Sequence, residues 1–312
     1  MGSDSVDVII PVYKPDERFL KVLRMLSVQD VRPQKIILMN TEEAFWNSFA
    51  ANAGDLPAKE LLEIHHIAKK DFNHGGTRDL GASYSGADHL LFMTQDALPK
   101  DRSLIGKLLQ ALRDKDVAVS YARQLPPKNC SPIERYNRVF NYPDRDIVKG
   151  ASDLQKLGIK TFFCSNVCAC YDRRIFDSLG GFVKNTIFNE DMIYASKAVR
   201  AGYRISYASK ACVYHSHDYS MAEQFHRNFD LGVSQAEHPE AFRGISSEKE
   251  GKKLVLGSIS YLKRQGKLIL LPDFILKYCA RYAGYLLGAN YRRLPRWVVL
   301  KSTTNPEYFK NL

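Results

Sequence analysis

The chain has 312 residues, of which 45% are hydrophobic and 11% aromatic, and its 45 lysines and arginines outnumber its 34 acids. This composition supports a sizeable folded core and excludes the disordered, collagen-like and coiled-coil classes. A membrane-spanning helix is not expected, because the most apolar stretch, residues 268–276, is interrupted by Pro272 and Asp273.

The N-terminus and the cysteines bear on the cellular compartment. No basic segment followed by an apolar stretch comes after Met1-Gly2-Ser3, so no secretory signal is expected. The six cysteines show neither a CxxC pair nor a zinc-ligand spacing with histidine. They are therefore expected to be reduced and structural, as in a cytoplasmic protein.

The net charge of +11 is concentrated near the C-terminus. Residues 251–312 hold 12 lysines and arginines but only two acids, whereas the rest of the chain is almost neutral. This imbalance predicts a basic tail that meets an anionic membrane or nucleic acid, with a solvated basic face as the alternative. The predicted division is a body over residues 1–245 and a helical, basic extension over 246–312.

Short apolar runs alternate with helical patterns in the first hundred residues. Strands are predicted at 6–13, 35–40, 62–67 and 89–94, and helices are predicted after Asp16 and near Thr77. Strands that alternate with helices indicate an α/β fold, with a Rossmann-like, mostly parallel sheet flanked by helices.

The residues that follow these four strands are candidates for binding, because ligands of such sheets lie outside the carboxyl ends of the strands. They are Pro11 and Tyr13, then Asn40, Thr41 and Glu42, then residues 71–78, then Gln95 and Asp96. This set of hydrogen-bonding groups suits a nucleotide and a metal ion. The GxGxxG and GxxxxGK[ST] patterns are missing, which disfavours a classical NAD or ATP site.

The second half of the chain continues the pattern with one interruption. A helix from Leu104 and a strand at 117–121 are predicted, followed by an irregular stretch at 123–160 and an apolar segment at 161–171. A helix then opens at Asn189-Glu190-Asp191 and ends at Gly202, and a strand at 205–208 leads to a histidine pair.

Six short motifs occur in order along residues 6–220. They are Val-Ile-Ile-Pro-Val-Tyr at 8–13, Asn-His-Gly-Gly-Thr-Arg-Asp-Leu-Gly at 73–81, Thr-Gln-Asp-Ala-Leu-Pro at 94–99, Gly-Gly-Phe at 180–182, Asn-Glu-Asp at 189–191 and His-Ser-His at 215–217. Together they resemble the motifs of family 2 glycosyltransferases with the GT-A fold. The variants at 72–78 and 95–99 further resemble bacterial rhamnosyltransferases, which use dTDP-β-L-rhamnose to build cell-surface polysaccharides.

The resemblance implies a donor half over about residues 1–122 and an acceptor half over about 123–245. It implies that Asp96 binds Mg²⁺ or Mn²⁺ together with the donor diphosphate, and that Asp191 is the catalytic base. The Asp-x-Asp metal motif of the family reads Thr94-Gln95-Asp96 here. A single acid predicts a lower metal affinity than usual.

The remaining site residues are interpreted from their positions. Glu190 is predicted to orient Asp191 or to bind the acceptor, and Arg78 can reach back to the nucleotide base or phosphate. The other predicted donor contacts are Pro11, Tyr13, Asn40, Glu42 and Gln95. The two histidines alternate along a strand end, so only one of them can easily face the site; His217 is the predicted metal ligand and His215 the alternative.

The tail carries an apolar helical stripe between Leu271 and Leu286. Arg292, Arg293, Arg296 and Trp297 follow it and suit anionic lipid headgroups, so the tail is predicted to dock on the cytoplasmic face of the plasma membrane. The alternative is that the stripe packs on the body as core.

The predicted activity is metal-dependent transfer of L-rhamnose to a polysaccharide or lipid-linked acceptor, by single displacement with inversion. Two alternatives stay open. One is transfer of galactose, glucose or N-acetylglucosamine from a uridine donor. The other is a catalytically dead, basic protein that binds nucleic acid, although no nucleic-acid-binding signature appears.

Overall fold

The computed structural model describes residues 5–245 and 248–310, and the predictions made for Met1-Gly2-Ser3 lie outside them. The chain forms two compact units. The sheet unit contains residues up to 125, 142–185 and 190–215, and the helical unit contains residues 126–141, 186–189 and those from 216 onwards. The predicted domain boundary near residue 245 stays a prediction.

Within the described residues, the sheet unit contains nine strands. They are β1 Val6–Tyr13, β2 Lys35–Thr41, β3 Leu62–Ile67, β4 His89–Met93, β5 Leu98–Pro99, β6 Val117–Leu125, β7 Ile147–Lys149, β8 Cys168–Asp172 and β9 Arg204–Tyr214.

The helices are distributed over both units. They are α1 Glu17–Ser27, α2 Glu43–Ala53, α3 His74–Ser83, α4 Leu104–Gln110, α5 Pro132–Asn141, α6 Leu154–Leu157, α7 Arg173–Ser178, α8 Glu190–Arg200, α9 Met221–Glu237, α10 Pro239–Phe242, α11 Glu248–Arg264, α12 Leu271–Ala289, α13 Arg296–Ser302 and α14 Pro306–Lys310. Short 3₁₀ turns lie at Lys59–Leu61, Lys69–Asp71, Ala151–Asp153, Gly158–Phe162, Leu268–Leu270 and Tyr291–Arg293.

The sheet has the strand order β3-β2-β1-β4-β8-β6-β9-β5, with β7 pairing β9. The four N-terminal strands pair in parallel, whereas β8 is antiparallel to both β4 and β6. Strands β1, β2 and β4 are almost wholly buried, which explains their continuous apolar runs. The strand order reverses beside β1, and such a reversal is where ligands of α/β sheets bind. The predicted α/β fold class is confirmed.

The structure corrects three local predictions. The helix expected near Thr77 begins at His74, because the Asn73 side chain caps it by accepting the Gly76 N–H at 2.6 Å. The stretch 123–160 is not irregular, since it contains α5 and β7. The apolar segment 161–171 is only partly a strand, because the 3₁₀ turn Gly158–Phe162 occupies its start and β8 begins at Cys168.

Two glycine motifs that are a hundred residues apart pack against each other in the sheet unit. A side chain at Gly76 would come within 2.7 Å of the Lys184 carbonyl oxygen, and one at Gly181 would overlap the Asp79 carboxylate. That carboxylate accepts the Phe182 N–H at 3.1 Å. The first turns of α3 are therefore held against the Gly-Gly-Phe turn, and this contact fixes the direction of α3.

The helical unit centres on the parallel pair α9 and α12, along which residue numbers rise in the same direction. Gly284 and Gly288 lie on α12 so close to the carbonyl oxygens of Phe225 and Phe229 that no side chain would fit at either glycine. The same holds for Gly232 on α9, which faces the Tyr285 carbonyl. The two helix backbones are thus in direct contact. In the part of the chain that the structure describes, none of the helices combines the length and apolarity that crossing a bilayer requires.

We expect Gly181→Ala to destabilise the protein by at least about 1 kcal/mol more than Gly202→Ala, because the added methyl group must displace Asp79 and break its bond to Phe182. Gly202 is a matched control in the same unit, since its φ of +92° is also unfavourable for alanine but open space surrounds it. Urea unfolding measures the difference. Equal losses for the two variants would contradict the packing role.

Candidate active site

Two adjacent carboxylates, Glu190 and Asp191, begin helix α8. Both are held by Asn166, whose backbone N–H donates to Asp191 Oδ2 at 3.1 Å and whose side-chain amide donates to Glu190 Oε1 at 3.1 Å. The other oxygen of Asp191 accepts the Met192 N–H at 2.7 Å. One residue outside the helix therefore orients both carboxylates.

Arg78 forms a buried ion pair with Glu190. Its NH1 lies 3.2 Å from Glu190 Oε1 and donates to the His74 carbonyl oxygen at 3.0 Å. The two side chains are only 5% and 7% exposed. Arg78 was predicted to face the nucleotide, but the partner that the structure gives its guanidinium is the carboxylate pair. Its role in donor binding stays a prediction.

The two carboxylates have opposite pKa shifts. Burial raises the pKa of Asp191, and the neighbouring charge of Glu190 raises it further. Burial would also raise the pKa of Glu190, but the charges of Arg78 and His74 and the bond from Asn166 together outweigh it and lower that pKa. Glu190 is therefore the fixed anion, and Asp191 is the group that can exchange a proton near the working pH.

A buried lysine anchors the loop that carries Asn166. Lys149 Nζ donates to the Lys160 carbonyl at 2.9 Å and also to the carbonyl of Phe163. Its third contact is the Tyr121 hydroxyl at 3.2 Å, and burial lowers the pKa of Lys149 to about 7. These bonds fix the backbone at Phe163, three residues before Asn166. They therefore help to position Asn166, which binds the carboxylates of Glu190 and Asp191.

The loop after β4 is tied to its neighbours on both sides. The Gln95 side chain makes two bonds to the backbone of Tyr13, accepting its N–H at 2.8 Å and donating to its carbonyl at 3.0 Å. The Thr94 N–H donates to the Val167 carbonyl at 3.1 Å, next to Asn166. The loop that presents Asp96 is therefore connected both to the end of β1 and to the residue that holds the carboxylates.

His215 faces Asp96, and its tautomer is set by Gln124. The Gln124 amide group donates to the Tyr142 hydroxyl at 2.6 Å and to the Ser165 hydroxyl at 3.0 Å, so its oxygen is the atom 2.9 Å from His215 Nδ1. Nδ1 must therefore carry the hydrogen, and neutral His215 directs the lone pair of Nε2 outward. Nε2 lies 3.6 Å from Asp96 Oδ2.

An imidazole lone pair beside a carboxylate oxygen is a pair of acceptors that only a cation or a proton can bridge. Such N and O ligands suit a divalent cation, and an imidazole whose other nitrogen is already hydrogen-bonded is the usual form of a histidine ligand. Asp96 and His215 therefore fit a metal, and the predicted role of His217 as a ligand stays a prediction. His217 belongs to the helical unit, where its ring stacks on Tyr219 at 5.1 Å.

The predicted donor residues lie around the ends of β1 and β2. Tyr13 is exposed and packs edge-to-face on Phe45 with centroids 5.4 Å apart, while Pro11 lies within β1. Asn40 donates to the Glu42 carbonyl at 3.1 Å, and the Glu42 carboxylate accepts the Lys69 N–H. Glu42 has a positive φ of +66°, so the turn after β2 is held in an uncommon conformation.

Four buried polar atoms at this edge have no hydrogen-bond partner among the described residues. They are Asn40 Oδ1, Thr41 Oγ1, Thr94 Oγ1 and Arg78 Nε. Buried polar atoms are normally paired, so a cluster of exceptions at the ends of β2 and β4 and on α3 marks a place where a polar ligand is expected.

Sequence reasoning missed Asn166, Gln124 and Lys149. Each is a polar or charged residue inside or beside an apolar strand, and all three are buried. Polar residues are seldom buried unless they are paired. The partners of these three are distant in the sequence, so only the fold reveals which groups they bind.

Comparison with known proteins places this site in context. The sequence model of glycosyltransferase-like family 2 matches residues 4–230. The O-antigen chain rhamnosyltransferase RfbN of Salmonella typhimurium is 36% identical over 309 residues, which are 98% of this chain and 96% of that protein. The O-antigen chain rhamnosyltransferase WbaN of Salmonella anatum is 32% identical over 311 residues, which are 99% of this chain and 96% of the relative.

A solved structure shares the fold. The mannosyltransferase PcManGT from Pyrobaculum calidifontis, in complex with GDP-Man and Mn²⁺, has a TM-score of 0.62 at 14% sequence identity. The match covers 93% of this chain and 88% of that protein. At this identity the likeness concerns the fold alone, and it agrees with the predicted GT-A class.

We expect Mn²⁺ to bind the protein directly, and Asp96→Asn to weaken binding at least about tenfold because the carboxylate charge is lost. Gln124→Leu should also weaken it, by about 10- to 100-fold, because His215 loses the partner that fixes its tautomer. Isothermal titration with MnCl₂ measures both. Asp55→Asn, at an exposed acid, is the control. Unchanged binding in Asp96→Asn would exclude this metal site.

Proposed function

The chain belongs to the family 2 glycosyltransferases, and we propose that it transfers L-rhamnose from dTDP-β-L-rhamnose to a hydroxyl of a cell-surface polysaccharide or its lipid-linked precursor. Two full-length relatives bear the name of O-antigen chain rhamnosyltransferases, and this supports both the sugar and the class of acceptor. The observation that carries the chemistry is the oriented carboxylate pair, in which one acid is fixed as an anion and the other has a raised pKa.

The donor site of this proposal is the edge formed by the ends of β1, β2 and β4. Tyr13 and Asn40 would contact the thymine and ribose, together with Pro11 and Glu42, and Gln95 would keep Tyr13 in place through its two backbone bonds. Asp96 and a histidine would hold Mn²⁺ or Mg²⁺. His215 fits this role best, and His217, two residues further along the chain, is a proposed additional ligand. When bound, the ion neutralises charge on the departing diphosphate.

Asp191 is the proposed base that removes the proton from the attacking hydroxyl. Its two oxygens are aligned by backbone N–H groups, which position the carboxylate without neutralising it. A base is most effective when its pKa lies near the working pH, and burial moves Asp191 in that direction. Attack from the face opposite the nucleotide would invert the β-donor and give an α-linked rhamnoside.

Glu190 is poorly suited to be the base. Its carboxylate is engaged by Arg78 and Asn166, which stabilise the anion and lower its affinity for a proton. In the proposed mechanism it is a positioning residue, because its charge raises the pKa of Asp191 and its ion pair attaches α8 to α3.

The donor assignment predicts which nucleotide sugar is turned over. With Mn²⁺ present, we expect hydrolysis or transfer from dTDP-β-L-rhamnose to exceed that from UDP-galactose, UDP-glucose and UDP-N-acetylglucosamine. Nucleotide release is measured for each donor, and NMR coupling constants assign the anomeric configuration of a transferred sugar. Preference for a uridine donor would replace rhamnose in the proposal, and a β-linked rhamnoside would exclude single displacement.

The base assignment predicts that Asp191→Asn lowers kcat by about two to four orders of magnitude, with donor binding nearly intact. In the wild type, activity should rise with pH through an apparent pKa well above ~4, the ordinary Asp value, because only ionised Asp191 accepts the proton.

The pH profile also separates the two acids. Glu190→Gln removes the neighbouring negative charge, so we expect the pKa of Asp191 to fall and the acid limb of the remaining activity to move to lower pH. The proposed roles of base for Asp191 and positioning residue for Glu190 would be reversed by either of two results. One is an acid limb of the pH profile that moves to higher pH in Glu190→Gln, and the other is an active Asp191→Asn together with an inactive Glu190→Gln.

We further propose that the helical unit docks on the cytoplasmic face of a membrane. The apolar residues of α12 are not all buried. Phe274 is buried, whereas Ile275, Tyr282 and Leu286 are exposed. These three exposed residues are spaced by seven and four positions along the helix. Trp297 is 64% exposed, and Ile269 in the turn before α12 is 87% exposed. Exposed apolar groups next to a strongly basic segment suit an anionic lipid surface.

Co-sedimentation with vesicles tests the docking. We expect binding to anionic but not neutral vesicles, lost at high salt and in Arg292→Ala/Arg293→Ala/Arg296→Ala, because each arginine contributes on the order of 1 kcal/mol near such a surface. The matched control is Arg18→Ala/Lys21→Ala/Arg24→Ala, which removes the same charge from exposed positions of α1. Equal sedimentation of the wild type and the tail variant, or equal losses in both variants, would contradict specific docking.

A further inference from the structure

The helical unit contains a cavity of about 410 Å³, and among its lining residues only His217 has a part in the proposed chemistry. Its wall is formed by α5, by residues 217–224, and by parts of α11 and α12, all of which belong to this one unit. The volume lies in the range of small-ligand sites, roughly 300–1,000 Å³.

The cavity is lined by two kinds of side chain. The apolar ones, called its apolar wall, include Ile133, Leu254, Leu270 and Phe274. The hydrogen-bonding ones, called its polar wall, include Glu134, Asn137, Asp218, Gln224 and Arg281. A ligand that fills it must therefore present a nonpolar face and a row of hydroxyl or amide groups.

The polar wall is held in place before any ligand arrives. Glu134 is paired with Arg138 at 2.6 Å and accepts the Ser216 hydroxyl at 3.1 Å. Arg281 Nε donates to Asn228 Oδ1 at 3.2 Å, which fixes the direction of its guanidinium. Pre-organised polar groups lose little entropy on binding, so they favour recognition of one geometry.

The charges on the wall argue against a phosphate ligand. Four carboxylates line the cavity, at Glu134, Asp218, Glu223 and Asp273, against only two permanent cations, Lys277 and Arg281. Lys277 is paired with Asp273 at 3.1 Å. Glu134 is also paired with Arg138, so these acids outnumber the cations by one and no cluster of free cations among the described lining residues awaits a phosphate. Sugar hydroxyls, by contrast, can donate to the carboxylates and accept from the amides and the guanidinium.

We propose that this cavity binds a neutral saccharide, the sugar of the glycan acceptor. That the bound sugar belongs to the acceptor rests on the proposed function. That the ligand is a saccharide rests on the lining of the cavity. The apolar wall receives the C–H face of a sugar ring, and Asn137, Gln224 and Asp218 receive its hydroxyls.

Saturation-transfer NMR on the full chain tests the inference without donor or metal. The probes are methyl α-L-rhamnoside, methyl α-D-mannoside and methyl β-D-galactoside, with inorganic pyrophosphate as a competitor. We expect at least one glycoside to bind and pyrophosphate not to displace it. Gln224→Leu should weaken that binding about fivefold or more through the lost amide bonds. Ile133→Phe should weaken it by narrowing the apolar wall, whereas Gln110→Leu, at an exposed position of α4, should not.

Activity measurements separate this inference from the proposed function. Gln224→Leu should leave hydrolysis of dTDP-β-L-rhamnose unchanged and should lower transfer to a glycan acceptor. If no glycoside binds, if Gln224→Leu binds as well as the wild type, or if pyrophosphate displaces the sugar, the cavity is not a saccharide site, whatever the donor. If a glycoside binds in the cavity but dTDP-β-L-rhamnose is not turned over, the donor assignment fails and the saccharide site stands.

Discussion

The buried ion pair between Arg78 and Glu190 is the contact on which the rest of the site depends. It connects α3, which the glycine motifs fix against the Gly-Gly-Phe turn, with the first turn of α8. Losing one member of such a pair leaves an uncompensated charge in a nonpolar setting, which typically costs about 3–5 kcal/mol. The pair therefore couples the folding of the glycine-rich motif to the position of Asp191, although Asp191 contacts neither glycine.

The local features of the fold could be predicted from the sequence because they depend on neighbouring residues. Strands β1, β2 and β4 are buried on both faces, so their apolar runs indicate them directly. The carboxylates of α8 and the loop with Asp96 after β4 were predicted as candidate site residues because they open a helix or follow a strand. Helix α5 was missed because none of its residues is fully buried and its partners lie in distant segments, so its short pattern between prolines did not stand out.

The contacts within the site could not be predicted in the same way. Gln95 is predicted to contact the donor, and the structure adds that its amide binds both polar groups of the Tyr13 backbone. Arg78 is predicted to reach the nucleotide base or phosphate, and the structure adds an ion pair with Glu190, a carboxylate 112 residues later in the chain. In both cases the type of side chain indicates what it can bind, but the partner is chosen by the fold. The same is true at Thr94, where a buried hydroxyl stands in place of the family's acid and only the fold reveals that His215 faces Asp96.

The glycines of the helical unit have a mechanical consequence. Gly284 and Gly288 are spaced by four residues, as are the two carbonyls that they face, Phe225 and Phe229. A shift of α12 along α9 by a single residue would drive a side chain into a backbone carbonyl at both positions. The pair therefore cannot slide, and a push on the exposed end of α12 is transmitted as a rigid displacement of both helices. The outer face of α12 takes no part in this contact, so a substitution there leaves the register of the two helices unchanged.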